Sequence, residues 1–121
     1  MIKKFLSRIL VLTCLSCAPF AAADGKSVYE PYLFTTFAGT ADVVGSADGT
    51  GGAAAFASPS GIAVDGADNL FVADTANHTI RKITPSGVVS TFAGLAGVSG
   101  SANGTGSAAR FNSPIGVAVD A

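Results

Sequence analysis

Between Gly61 and Gly94 the chain reads as four short apolar stretches separated by turn chemistry. They are Ile62–Asp65 (IAVD), Leu70–Ala73 (LFVA), His78–Ile83 (HTIRKI) and Val88–Ala93 (VVSTFA). The separators GADN (Gly66–Asn69), DTAN (Asp74–Asn77) and TPSG (Thr84–Gly87) supply Gly, Pro, Asp and Asn. Pro presets φ, Gly accepts positive φ, and Asp or Asn tolerates a tight turn. Short strands joined by short turns form an antiparallel meander. A sheet with one wet face would alternate apolar and polar residues, and these strands do not. Leu70 and Val72 take one face of LFVA while Phe71 and Ala73 take the other, and Ile80 and Ile83 stand on opposite faces. Both faces of the predicted sheet therefore call for burial.

The pattern also recurs. Thr36–Gly66 aligns without a gap with Thr91–Ala121 at an offset of 55 residues, with 21 identities in 31 positions. Such a period indicates a stacked or radial repeat architecture. A sheet buried on both faces and repeated at a fixed period matches a propeller blade held between its neighbours. TFAG occurs at Thr36–Gly39 and again at Thr91–Gly94, where it is expected to end the outermost strand of successive blades. Equivalent positions in the two copies, expected to be structural, are Phe37 and Phe92, Phe56 and Phe111, Pro59 and Pro114, and Asp65 and Asp120. The two phenylalanines beside the Ser-Pro steps, Phe56 and Phe111, are expected to fill gaps between blades.

The stretch GIAVDGADNLFVADTANHTIRKITPSG resembles the NHL repeat of β-propellers. The residues that carry the likeness are Gly61, Ala63, Val64 and Asp65, then Asn69, Leu70, Val72, Ala73 and Asp74, then Asn77, His78, Ile80, Arg81 and Lys82. The namesake Asn-His-Leu reads Asn77-His78-Thr79 here, so its third member departs. The flanks DGTGGAAAFASPSG and NGTGSAARFNSPIG resemble the long inter-blade segments of bacterial members. The resemblance implies an all-β fold: a partial β-propeller of four-stranded antiparallel blades. The complete blade is expected at 61–94, a partial blade at 34–39, inter-blade loops at 40–60 and 95–115, and the start of another blade at 116–121. Closed propellers need about 4–8 blades, so the chain is expected to be a piece of a propeller. The resemblance does not single out one function, because such propellers include both binding scaffolds and enzymes.

The N-terminus stands apart from this pattern. Lys3, Lys4 and Arg8 precede an apolar run, Ile9–Ala18, and Ala21-Ala22-Ala23 follows. A basic start, a short apolar run and small residues at the cleavage site mark a secretory signal peptide. The run is too short to span a membrane, which takes roughly 20 apolar residues. Residues 1–23 are read as the signal and 24–33 as a leader segment, with secretion or export to the periplasm as the consequence. A lipoprotein acylated on Cys17 is the alternative; Cys14 occupies the place where such signals usually carry Leu. Cleavage after Ala23 removes Cys14 and Cys17 together, leaving no thiol chemistry. From Asp24 onward there are four basic residues against eight acidic ones, with no basic patch to attract phosphates.

Little in the chain points to catalysis. His78 is the single histidine, and one His without Cys makes no zinc set. Asp65, Asp74 and Asp120 at strand ends suit turn N–H groups. The sharper reading, carboxylates gathered around Ca²⁺, requires acids from further blades. GTGGAA at Gly49–Ala54 fits a dinucleotide pattern but lacks the strand–helix context that such a pattern needs. Asn77 and Asn103 open glycosylation sequons, which matter only in a eukaryotic secretory pathway. In an up-and-down meander the 74–78 turn shares one rim with the long loops 40–60 and 95–115. Loops on a rigid scaffold carry function, so Asp74, Asn77 and His78 become the ligand-face candidates.

The reading is an extracytoplasmic binding or scaffold module, leaning away from enzyme. No catalytic residue, metal or cofactor is assigned. The partner would be a protein, peptide or glycan; nucleic acid and a membrane span are not expected. Self-association to complete a ring is a further expectation. The alternative is part of a metal-dependent, lactonase-like propeller hydrolase or lyase, and a third reading is a truncated product without independent function. Mass spectrometry of the exported protein should find Asp24 at its N-terminus. An intact Met1 or a lipid-modified Cys17 would overturn the signal-peptide assignment.

Overall fold

The computed structural model describes residues 34–120. The expected signal peptide and leader lie outside them. The described residues are all-β apart from three short 3-10 turns. Five strands form one antiparallel sheet: β1 (Gly49–Thr50), β2 (Pro59–Val64), β3 (Leu70–Asp74), β4 (Thr79–Ile83) and β5 (Val88–Gly94), in the spatial order β1-β5-β4-β3-β2. The four strands β2 to β5 are the meander read from the sequence. The two-residue β1 comes from the long loop before β2 and pairs Gly49 with Val89 and Thr50 with Val88. The sequence did not reveal it. It covers the outer edge of the blade with a very short strand, which limits edge-to-edge pairing.

Cross-strand partners define the two faces. Val72 lies opposite Ile62 and Arg81, Leu70 opposite Val64 and Ile83, and Ile83 opposite Val89. These residues share one face. Leu70, Val72, Ile83 and Val89 form its core with Ala38, Ala54 and Phe56 of the preceding segment, and Phe37 packs against them. The opposite face carries Phe71, Ala73, Ile80 and Lys82. A bulge between Ile80 and Arg81 makes Phe92 the extra residue of β5, as bulges re-aim a side chain. Phe92 meets Phe71 edge to face at 5.1 Å and remains 54% exposed. The expectation that both faces seek burial thus holds for the centre of one face, with Ile62 and Val64 partly buried at its β2 edge, and less well for the other.

Two outer segments differ from the strands expected of them. Residues 34–39 carry no ladder. A strand needs a partner, and among the described residues none pairs with this segment; Phe37 and Ala38 lie on the blade's core instead. Residues 116–120 also form no ladder. Residues 115–117 nevertheless run beside β2, because a Cβ placed on Gly61 would meet the Ile115 carbonyl at 2.5 Å. Only glycine allows that approach. β2 is irregular at this point, between Pro59 and Ile62.

The centre of the covered face is polar. Arg81 is fully buried on β4. Its Nη1 donates to Asp74 Oδ2 at 3.0 Å and to the Ala55 carbonyl at 2.9 Å. Its Nη2 donates to Asp48 Oδ1 at 2.7 Å and to the Ala47 carbonyl at 2.9 Å. The guanidinium lies 5.1 Å from the Phe56 ring centroid, within cation–π range. One arginine of the blade therefore holds both ends of the 47–56 loop. A planar fork with several donors suits this role, and an ammonium would not reach all four acceptors. Asp74 is as buried as Arg81, whereas the Asp48 side chain is 53% exposed. Removing one member of a buried pair strands the other charge, at a cost of about 3–5 kcal/mol. Exposed pairs contribute about 1 kcal/mol or less. In denaturant titrations Arg81→Ala should therefore lose about 3–5 kcal/mol and Asp48→Asn no more than about 1 kcal/mol. Equal losses would show that the buried half of the cluster does not dominate.

Candidate ligand rim

The turn between β3 and β4 is built from Thr75–Asn77, a single 3-10 turn closed by His78 at φ 58°, ψ 34°. His is among the residues that accept this left-handed conformation more readily than most. The His78 N–H returns to the Thr75 carbonyl. Gly94, at the end of β5, passes so close that a Cβ there would meet the His78 carbonyl at 2.5 Å, and its φ is +94°. Glycine is required on both counts.

This turn ties both long loops to one rim. Towards the first loop, Ala57 N–H donates to Asp74 Oδ1 at 2.8 Å, Ala76 N–H to the Ala57 carbonyl at 3.1 Å, and Asn77 Nδ2 to the Gly45 carbonyl at 2.7 Å. Towards the second, Gly97 N–H donates to the Asn77 carbonyl at 3.2 Å and Thr75 Oγ1 to the Pro114 carbonyl at 2.7 Å. Ser113 N–H donates to His78 Nδ1 at 3.0 Å. The strand polarity inferred from the meander thus places the 74–78 turn beside both loops, as the topology requires.

The three ligand-face candidates sit together but differ in availability. Asp74 is fully buried, and its two oxygens accept from Ala57, Asn77 and Arg81. Asn77 spends its amide on Asp74 Oδ2 and on Gly45. These two side chains hold the rim's shape. His78 is half-buried and accepts at Nδ1, which leaves the ring proton on Nε2. Among the described residues, no group of three or more His, Cys, Asp or Glu is placed to hold a metal.

The repeat positions show what their residue types do. Asp65 accepts from the Ala67 and Asn69 N–H groups at Oδ1 and from Asn69 Nδ2 at Oδ2, closing the β2–β3 turn. The Asn69 side chain, then its backbone N–H, hold the Asp65 carboxyl below its ordinary value. Phe56 is buried in the core, while Phe111 is half-buried against Gly94. Pro59 opens β2, and Pro114 holds the equivalent place before 115–120. Asp120 is exposed, and no turn closes on it among the described residues.

Arg81 carries part of the repeat likeness in the sequence but is not among the structural or ligand-face positions expected from it. The signal was present in TIRKI: Arg81 shares parity with Thr79 and Ile83, the buried face of β4. A charged residue in phase with an inward apolar one points to a buried ion cluster. No helix of the described residues is long and apolar enough to cross a membrane.

The family model of the NHL repeat matches residues 56–83, from the buried phenylalanine to the end of β4. No curated protein matches the chain. Among solved structures, a Bacteroides thetaiotaomicron protein of unknown function superposes with a TM-score of 0.66 and 35% identity over 69% of this chain and 22% of its own length. An auxiliary nutrient binding protein from the same organism gives 0.61 and 30% identity, over 74% of this chain and 25% of its own length. Another auxiliary nutrient binding protein, from Bacteroides ovatus, gives 0.57 and 26% identity, over 66% and 22%. The chain thus spans a quarter or less of the length of these neighbours. With the repeat match falling on an intact four-stranded blade, residues 56–83 carry an NHL repeat, and the described residues have the fold of a partial β-propeller.

Proposed function

We infer that this chain is part of an extracytoplasmic NHL propeller that binds a nutrient-derived glycan or peptide at the rim carrying the long loops. The observation that carries the reading is the rim itself. The 74–78 turn fixes two loops of similar sequence side by side through hydrogen bonds to Gly45, Ala57, Gly97, Ser113 and Pro114. A rigid scaffold that presents pre-shaped loops on one side lowers the ordering cost of binding. The likeness to two auxiliary nutrient binding proteins supports a binding role over a catalytic one. The basic, apolar and small-residue order of the first 23 positions supports export.

On this reading Asp74 and Asn77 act by holding the loops, and His78 with the exposed loop backbone meets the ligand. Calorimetric titration of the protein with panels of oligosaccharides and peptides tests it. A hit should weaken at least about tenfold in His78→Ala, which corresponds to about 1.4 kcal/mol, while the melting temperature changes by only a few degrees. Absence of binding across both panels, or a hit indifferent to loop and His78 changes, would refute the assignment of the rim.

A further inference from the structure

The two copies of the inter-blade loop share their backbone as well as their sequence. In the first, Gly45 N–H donates to the Phe56 carbonyl, Ala54 N–H to Gly51 and Ala55 N–H to Ala47, at 3.3, 3.3 and 3.0 Å. In the second, Gly100 donates to Phe111, Ala109 to Gly106 and Arg110 to Ala102, at 3.0, 3.3 and 2.9 Å. Left-handed residues match as well: Gly39 and Gly94, Asp42 and Gly97, Gly51 and Gly106, Ser58 and Ser113. Each pair is 55 residues apart.

The first loop earns its burial by holding Arg81. Its acceptors are the Ala47 and Ala55 carbonyls, the Asp48 carboxylate and the Phe56 ring. The equivalents in the second loop are the Ala102 and Arg110 carbonyls, the Asn103 side-chain oxygen and the Phe111 ring. The hydrogen bonds that aim those carbonyls are already formed. Yet the second loop is the more open: residues 54–57 are all buried, whereas of 109–112 only Ala109 is. The Arg110 guanidinium does not fill the place, since it folds back onto the Ser107 and Ala109 carbonyls.

We propose that residues 95–112 are a preformed arginine clamp, and that this clamp with the exposed face bearing Phe71 and Phe92 docks a further NHL-type blade entering through residues 115–120. Three observations fix the occupant. The first copy shows the same backbone closed on a blade arginine. Phe37, the equivalent of Phe92, packs on the core of the blade that follows it; Phe92 offers the same ring, 54% exposed, on the opposite face. Residues 115–117 already run beside β2 at Gly61, where the inner strand of such a blade would start. A second copy of the chain is the poorer fit, because its Arg81 is already held by its own 47–56 loop. The clamp also has a built-in difference: Asn103 replaces the charged Asp48 by a neutral amide, so it should hold its arginine less tightly than the first. The proposal does not depend on the ligand assigned to the rim.

The test compares the 121-residue chain with a chain lengthened by one period, in which a second copy of residues 67–121 follows Ala121. In the lengthened chain Phe111→Ala should lower the melting midpoint by several degrees and Asn103→Asp should raise it. Both should leave the 121-residue chain within about 2 °C, where a shift of about 4–8 °C accompanies each kcal/mol in a domain of this size. The Gly100 and Arg110 amides should exchange with deuterium at least tenfold more slowly in the lengthened chain. Equal shifts in both chains, or unchanged exchange, would overturn the clamp. A dimer of the 121-residue chain in sedimentation that Phe111→Ala dissolves would make a second copy the occupant and overturn the choice of a following blade.

Discussion

The structure depends on one guanidinium without contact to water. Arg81 leaves the middle of the sheet and is met by two backbone carbonyls, two carboxylates and an aromatic face, all but one of those partners supplied by the loop that precedes the blade. Burying a cation is costly unless its donors are answered and a charge opposes it; here both terminal nitrogens are answered and only Nε is left without a partner among the described residues. That requirement makes the loop part of the blade's fold. It cannot be removed without leaving the guanidinium facing vacant space, and the sheet cannot lose its arginine without loosening the loop. The same arrangement explains the duplicated sequence. TFAG and the Gly-Thr-Gly and Ala-Ala motifs occur in both copies, and the first copy supplies the blade that follows it with phenylalanine rings, aimed carbonyls and a tight turn.

The rim follows from this interaction. Asp74 is shared between the arginine and the rim, accepting from Arg81 on the blade side and from Ala57 and Asn77 on the loop side. The chain thereby couples the packing of the covered face to the position of the loops that would meet a ligand. A rigid rim of this kind suits recognition, because its shape is set by the core rather than by the ligand. The carboxylate at the other end of β2 plays a smaller part: Asp65 closes the β2–β3 turn through Ala67 and Asn69, away from both long loops.

Most of the blade was legible in the sequence. The four strands of the meander follow from turn residues at regular spacing and from the lack of alternation in LFVA, and each expected strand lies within three residues of its structural bounds at either end. The repeat fixed the equivalence of Phe56 and Phe111, and the direction of the strands placed the 74–78 turn beside the long loops. Three features were not legible. Residues 34–39 and 116–120 carry strand-like sequence, but a strand exists only with a partner, and sequence pattern does not say whether one is present. β1 is two residues of Gly and Thr, too short and too weak in propensity to signal itself. The direction in which Asp74 points was hidden because an acid at a strand end reads equally as a turn acceptor and as a ligand group. Its burial is decided by Arg81, seven residues away.

Hydrogen exchange in Arg81→Met tests the account most directly. Methionine keeps the bulk and apolar stem of arginine but removes every donor. The expected result is a selective loss: the Gly45, Ala54 and Ala55 amides, which donate within the loop, should exchange at least tenfold faster, while the β3–β4 ladder keeps most of its protection. Loss of ladder protection in step with the loop, or a loop that stays protected without the guanidinium, would contradict the claim that this one side chain fastens the loop to the blade.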